Sequence, residues 1–163
     1  MKYLIFCLFF VPALAVAQDC KLIRQTDPYT KLTTLSTGFI PLQGGSLTID
    51  ASKPEIDFLF SLNGVNKCFS DGSMAAIFFA GTKMKLTQRN GGSMNCEGLF
   101  HFIFRNSATA PVLLRRFATQ KVEKFIFTGN DKAETIVTLT TEQQEMLMQL
   151  SACIAREAPA LLQ

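Results

Sequence analysis

Tryptophan is absent from this chain and histidine occurs once, at His101. A Ser-His-Asp mechanism therefore has a single available base, and no Gly-x-Ser-x-Gly elbow exists to hold its serine. No Cys-x-x-Cys pair occurs, so the paired-ligand spacing of a zinc site is missing. No glycine-rich dinucleotide loop is present either. The sequence therefore assigns no catalytic set, metal or cofactor. Lysine and arginine form no dense run and the formal net charge is only +3, which argues against nucleic acid as a partner. Beyond residue 17 no stretch approaches the roughly 20 apolar residues of a membrane-spanning helix. Internal repeats, linkers and low-complexity stretches are lacking as well.

What the chain has is apolar content, 48% over 163 residues, enough for one domain with a real core. Lys2, the apolar residues 4–16 and the small-x-small site Ala15-Val16-Ala17 make residues 1–17 read as an export signal cleaved before Gln18. The remaining domain, residues 18–163, is then periplasmic or extracellular. Cys7 leaves with the signal. Cys20, Cys68, Cys96 and Cys153 remain, an even set bound for an oxidising compartment, which predicts two disulfides. Four cysteines allow three connectivities. The preferred one joins Cys68 to Cys96 at strand ends, and Cys20 to Cys153, tying the first strand to the last helix.

Along that domain, alternation dominates. Residues 21–25 read as a short strand and Thr26-Asp27-Pro28-Tyr29 as a turn. Residues 30–42, broken by Gly38 and Pro41, read as two strand pieces. Leu47 and Ile49 alternate with Ser46, Thr48 and Asp50, and Ile56, Phe58, Phe60 and Leu62 share one face of the next strand. Residues 74–80 are almost continuously apolar, which predicts a central strand covered on both faces. Residues 82–90 place Met84 and Leu86 inward, with Lys83, Lys85, Thr87 and Arg89 outward. In residues 99–105, Phe100, Phe102 and Phe104 oppose Leu99, His101, Ile103 and Arg105.

Thr109 is placed to cap a short helix carrying Pro111, Leu113, Leu114, Phe117 and Ala118. Residues 122–128 and 135–140 make a hairpin about Gly129-Asn130-Asp131. Thr141 and Gln144 form a capping-box pattern ahead of a long last helix, ended or bent at Pro159. Its apolar stripe runs through Met146, Leu147, Leu150, Cys153, Ile154, Ala158 and Leu161, with Leu147, Leu150 and Ile154 expected to be almost fully buried. The class is α+β: a mostly antiparallel sheet or sandwich of about eight or nine strands, with a short helix and a long C-terminal helix packed on it.

Few residues invite chemistry. His101 lies five residues past Cys96 on what reads as one strand, so the two face opposite ways and a cysteine–histidine pair is disfavoured. Asp50, Glu55 and Asp57 are close in sequence and read as solvent-facing. Lys83, Lys85 and Arg89 form an anion-facing stripe, against the plainer reading of a solvated face. The twelve phenylalanines beyond residue 17 either pack a core, their commoner use, or line a pocket for a small hydrophobic ligand.

Two segments, Met94-Asn95-Cys96-Glu97-Gly98-Leu99-Phe100-His101-Phe102-Ile103-Phe104-Arg105-Asn106 and Phe125-Ile126-Phe127-Thr128-Gly129-Asn130-Asp131, resemble small secreted bacterial proteins of unknown function. The resemblance implies export and a cysteine-bearing α+β domain, and it implies no activity. The leading expectation is an exported, non-enzymatic binding module that engages a protein partner through a sheet face or loop. The alternative is a carrier of a hydrophobic small molecule, with a hydrolase third.

Overall fold

The computed structural model describes residues 20–64 and 67–163, so the expected export signal lies outside the described residues. Among these, ten strands follow the alternating segments: β1 (Ile23–Thr26), β2 (Thr33–Ser36), β3 (Ile40–Leu42), β4 (Gly45–Ala51), β5 (Glu55–Leu62), β6 (Met74–Phe79), β7 (Lys85–Arg89), β8 (Leu99–Arg105), β9 (Val122–Thr128) and β10 (Glu134–Thr138). One sheet has the order β1-β2-β4-β5-β8, with β3 also on β4, and the other has the order β10-β9-β6-β7. Every pairing is antiparallel. The chain crosses to the second sheet after β5, runs β6 and β7 there, and returns as β8.

The two sheets face each other across phenylalanine rings. Phe60 of the first sheet lies 4.9 Å from Phe125 and 5.0 Å from Phe127 of the second, and Phe100 lies 5.1 Å from Phe127. These are tilted and edge-to-face contacts, the arrangement that the ring quadrupole favours. Helix α1 (Val112–Thr119) inserts Phe117 into the same layer, 5.1 Å from Phe58. Helix α2 (Thr141–Glu157) packs on α1 and touches β4 and β9, one strand of each sheet, so the helices close one side of the sandwich. A 3-10 turn (Ala158–Leu162) with Pro159 at its start ends the α2 path, as the proline requires.

The α+β class stands, with the strand count at ten among the described residues. Several local expectations are corrected. The α2 capping box begins one residue earlier: Thr140 keeps an extended backbone and its Oγ1 accepts from Gln143 N, while Gln143 Oε1 accepts from Thr140 N. Thr109 does not cap α1; Pro111 occupies the N-cap position, and the Thr109 carbonyl accepts from Ser107 Oγ instead. Strand β6 is interior to its sheet but covered on one face. Ala75, Ile77 and Phe79 are buried, while Ala76 and Phe78 line the outer face, where Lys124 Nζ sits 4.9 Å from the Phe78 ring centre. A small residue and a ring under a lysine explain an apolar run without a second layer.

Met84 is exposed rather than inward, because β7 starts only at Lys85 and the Met84 amide donates to Thr82 Oγ1 in the preceding turn. On α2 the buried line is Leu147, Ser151 and Ile154, continued by Ala158 of the 3-10 turn, and Leu150 is half-buried beside it. Spacings of four and three place Ser151 where Leu150 was expected. Replacing Leu147 by alanine should therefore cost about 2 to 5 kcal/mol, and Leu150→Ala distinctly less. Exposed Gln149→Ala should stay within about 0.5 kcal/mol. Denaturant midpoints of the three variants check that order, and equal midpoints for Leu147→Ala and Gln149→Ala would contradict the packing.

Candidate functional site

Two cysteine pairs lie at bonding distance. Cys20 pairs with Cys153, with Cα atoms 5.5 Å apart, and Cys68 with Cys96, with Cα atoms 3.8 Å apart. Both match the preferred connectivity. Cys68 sits in the crossover from β5 to β6 and Cys96 in the return from β7 to β8, so one bond staples both passages between the sheets. Phe69 and Asn95 add two backbone hydrogen bonds beside it, at 2.8 and 2.9 Å. By loop entropy this cross-link is worth roughly 3.5 kcal/mol and the Cys20–Cys153 bond roughly 5 kcal/mol. Cys96 precedes β8 instead of lying in it, so the opposite-faces argument does not apply to it. Its thiol is consumed by the disulfide, which leaves no nucleophile at that position.

His101 projects from the outer face of the first sheet, where alternation puts Asp50, Asp57, Leu59 and Ile103 as well. Asp57 stands directly opposite Asp50, and its Oδ2 lies 2.8 Å from His101 Nδ1. Of the three acidic residues considered from the sequence, Asp57 bonds the histidine, and Asp50 lies beyond it on the next strand. The hydrogen bond to Asp57 raises the His101 pKa above its ordinary 6.5, partial burial opposes this, and the charges of Asp57 and Glu55 add to the rise. The backbone of residues 90–92 folds over the ring. Asn90 Oδ1 accepts from His101 N at 2.8 Å, Gly91 N donates to His101 O at 2.9 Å, and a Cβ on Gly92 would strike the imidazole. Among the described residues no serine hydroxyl hydrogen-bonds the ring, so the histidine and carboxylate of a triad are present without its nucleophile.

Lys85 and Arg89 share the outer face of β7, and Lys83 precedes the strand. Lys83 and Lys85 are exposed, while Arg89 pairs with Asp71 at 3.4 Å and also donates to the Asp71 carbonyl. The stripe therefore carries two unneutralised charges and one compensated by a carboxylate. Strand β7 is an edge, and lysines on an edge strand discourage pairing with another chain.

The two most exposed large apolar side chains among the described residues, Tyr29 and Phe39, lie elsewhere. The β1–β2 hairpin and the residues after it leave Tyr29 91%, Phe39 85%, Leu32 55% and Ile23 49% exposed. The turn is firmly built: Asp27 Oδ1 accepts from Tyr29 N at 2.8 Å and Thr30 N at 2.7 Å, and Asp27 N donates to Leu32 O at 2.9 Å. The amide bonds from Thr30 and Tyr29 hold the Asp27 carboxyl below its ordinary range. A hollow of about 680 Å³ runs beside the hairpin, bounded by Gln25, Thr26, Pro28, Leu32 and Thr34. The turn was legible as Thr26-Asp27-Pro28-Tyr29, but the exposure of Ile23, Leu32 and Phe39 was not. Apolar residues in a strand read as inward unless the strand's place at a sheet edge is known.

No known protein family, curated protein or solved structure matches the chain.

The His101–Asp57 pair makes stability depend on pH. A raised native pKa means that the pair's contribution is complete below the unfolded value of 6.5 and is lost as pH climbs through the native value. His101→Gln should therefore destabilise the protein more at about pH 5.5 than at about pH 8.5. Urea midpoints of the native protein and the variant at both pH values test this, and a gap independent of pH would contradict it.

Proposed function

We propose that this chain is an exported, non-enzymatic binding module that engages a partner protein through the β1–β2 hairpin. The observation that carries the reading is the set of exposed apolar side chains at the tip of that hairpin, Tyr29 and Leu32, and at its base, Ile23 and Phe39. Aromatic residues held out on a rigid support are the usual anchors of protein interfaces. Asp27 fixes the turn that presents Tyr29, and the Cys20–Cys153 bond ties the chain ahead of β1 to α2. Arg24 and Lys31 flank the apolar groups, so the matching partner surface has an apolar recess with acidic surroundings. Two cysteine pairs at bonding distance suit an oxidising compartment, periplasmic or extracellular, and no helix of the described residues is long and apolar enough to cross a membrane.

The carrier reading needs an apolar chamber, and the space between the sheets is occupied by rings in mutual contact. The hydrolase reading needs a nucleophile beside His101, where the close neighbours of the ring are Asp57 and Gly92. The test is cross-linked capture from the exported fraction with native protein and with Tyr29→Ala/Leu32→Ser. A partner held by the native hairpin should be lost from the double variant, whose core is untouched and whose unfolding midpoint should shift little. A partner retained equally by both proteins would place the contact on another surface.

A further inference from the structure

On the side of the hairpin toward the chain's C-terminal turn lies a smaller hollow of about 240 Å³, lined by Arg24, Lys31, Leu32, Thr33, Lys53, Ala160, Leu161 and Gln163. Its cations come from three separate segments: strand β1, the hairpin turn and the loop between β4 and β5. No aspartate or glutamate lines it, and none of the ion pairs among the described residues involves Arg24, Lys31 or Lys53. Like charges gathered with no acidic side chain in the lining repel one another, and an arriving anion relieves that repulsion.

The surroundings of these cations are built rather than loose. Lys31 is held at φ 58°, the left-handed region that lysine seldom adopts, by the bond from its amide to the Asp27 carbonyl at 2.9 Å. Buried Asn106 donates from Nδ2 to Ser52 O and to Ala158 O, both at 2.9 Å, which locks the Lys53 loop against the C-terminal turn. The Cys20–Cys153 bond fastens the start of the hairpin to the helix that leads into the same turn.

We propose that this hollow binds a phosphate monoester group, with Arg24, Lys31 and Lys53 as its ligands. Three cations exceed what one carboxylate neutralises and match a dianionic phosphate, for which the arginine fork is suited. The volume equals roughly eight liquid-water volumes, room for a phosphate with a small substituent. Leu32, Ala160 and Leu161 provide an apolar wall for that substituent. The monoester can belong to a soluble metabolite or to a lipid headgroup. The site shares Arg24, Lys31 and Leu32 with the hairpin surface proposed for a protein partner, while Lys53, Ala160 and Leu161 belong to it alone and Tyr29, Phe39 and Ile23 take no part in it.

Glycerol 1-phosphate titrated into the full disulfide-bonded protein should saturate, shifting the amide resonances of Lys31, Lys53 and Leu161. Lys31→Ala/Lys53→Ala should weaken binding by about tenfold or more, while Lys83→Ala/Lys85→Ala, which removes equal charge from β7, should bind as the native protein does. Equal weakening in both double variants would reduce the effect to net charge and overturn the proposal, as would titration without saturation. Should the first double variant lose its native spectrum, Arg24→Lys decides: it keeps the charge but not the fork, so weaker binding supports the site and unchanged affinity overturns it. Phosphatidylcholine vesicles containing phosphatidic acid distinguish the sources. Sedimentation of the protein with them, reversed by glycerol 1-phosphate, identifies a headgroup, and binding of the soluble ester alone identifies a metabolite.

Discussion

The structure rests on the layer of phenylalanine rings between its two sheets. Phe58, Phe60, Phe100 and Phe102 descend from β5 and β8, Phe125 and Phe127 rise from β9, and Phe117 enters from α1, all fully buried. Each such ring contributes more than its buried area, because edge-to-face, tilted and stacked contacts add favourable interaction between rings. A layer filled in this way fixes the spacing of the sheets. The proposed binding reading therefore turns on the surface and on what it leaves uncovered.

Sheet edges are the first place to look, since an open edge presents unpaired amides and carbonyls. Strand β8 is closed by side chains acting as a neighbouring strand: Asn90 Oδ1 takes the His101 amide, while Asn95 takes the Leu99 amide through Oδ1 and gives Nδ2 to the Leu99 carbonyl. Beside β3, Gln143 of α2 donates to the Pro41 carbonyl at 2.9 Å. Strand β7 carries Lys85, with Lys83 just ahead of it, and the turn after β9 is bonded to the Cys68 segment through Asn130 N. Strand β1 has no such cover among the described residues, and all four of its residues are exposed. Exposed apolar side chains also occur at the other edges, Ile136 on β10 and Met84 ahead of β7, but the hairpin edge brings Ile23, Tyr29 and Leu32, with Phe39 beyond it.

Much of the fold was legible because alternation reports burial directly. Ile56, Phe58, Phe60 and Leu62 share a face in sequence and are all buried in space. The cysteine pairing was legible as a preference, since Cys68 and Cys96 both stand at strand ends. Features that depend on a distant neighbour were not legible. Asp57 meets His101 only because β5 pairs with β8 across β6 and β7, and the hollow of Arg24, Lys31 and Lys53 gathers residues from three segments that no motif links. The errors along α2 were shifts of one residue, at the Thr140 cap and at Ser151 in place of Leu150, where a 3.6-residue period leaves adjacent choices almost equivalent; at α1 the start lies two residues beyond Thr109, at Pro111.

The two disulfides act on different parts of this arrangement. Cys68–Cys96 cross-links the passages between sheets, so it supports the layer that holds the domain together. Cys20–Cys153 lies at the periphery, and β1 contributes no residue to the buried core. A four-residue edge strand without buried side chains gains little from packing, and a short hairpin on its own is marginal in water. Its order therefore depends on pairing with β2 and on the tether to α2. A docking element held in place beforehand loses less entropy on binding than a mobile one. In the proposed function the peripheral disulfide holds the docking hairpin in place, in addition to the roughly 5 kcal/mol that its long loop contributes to stability.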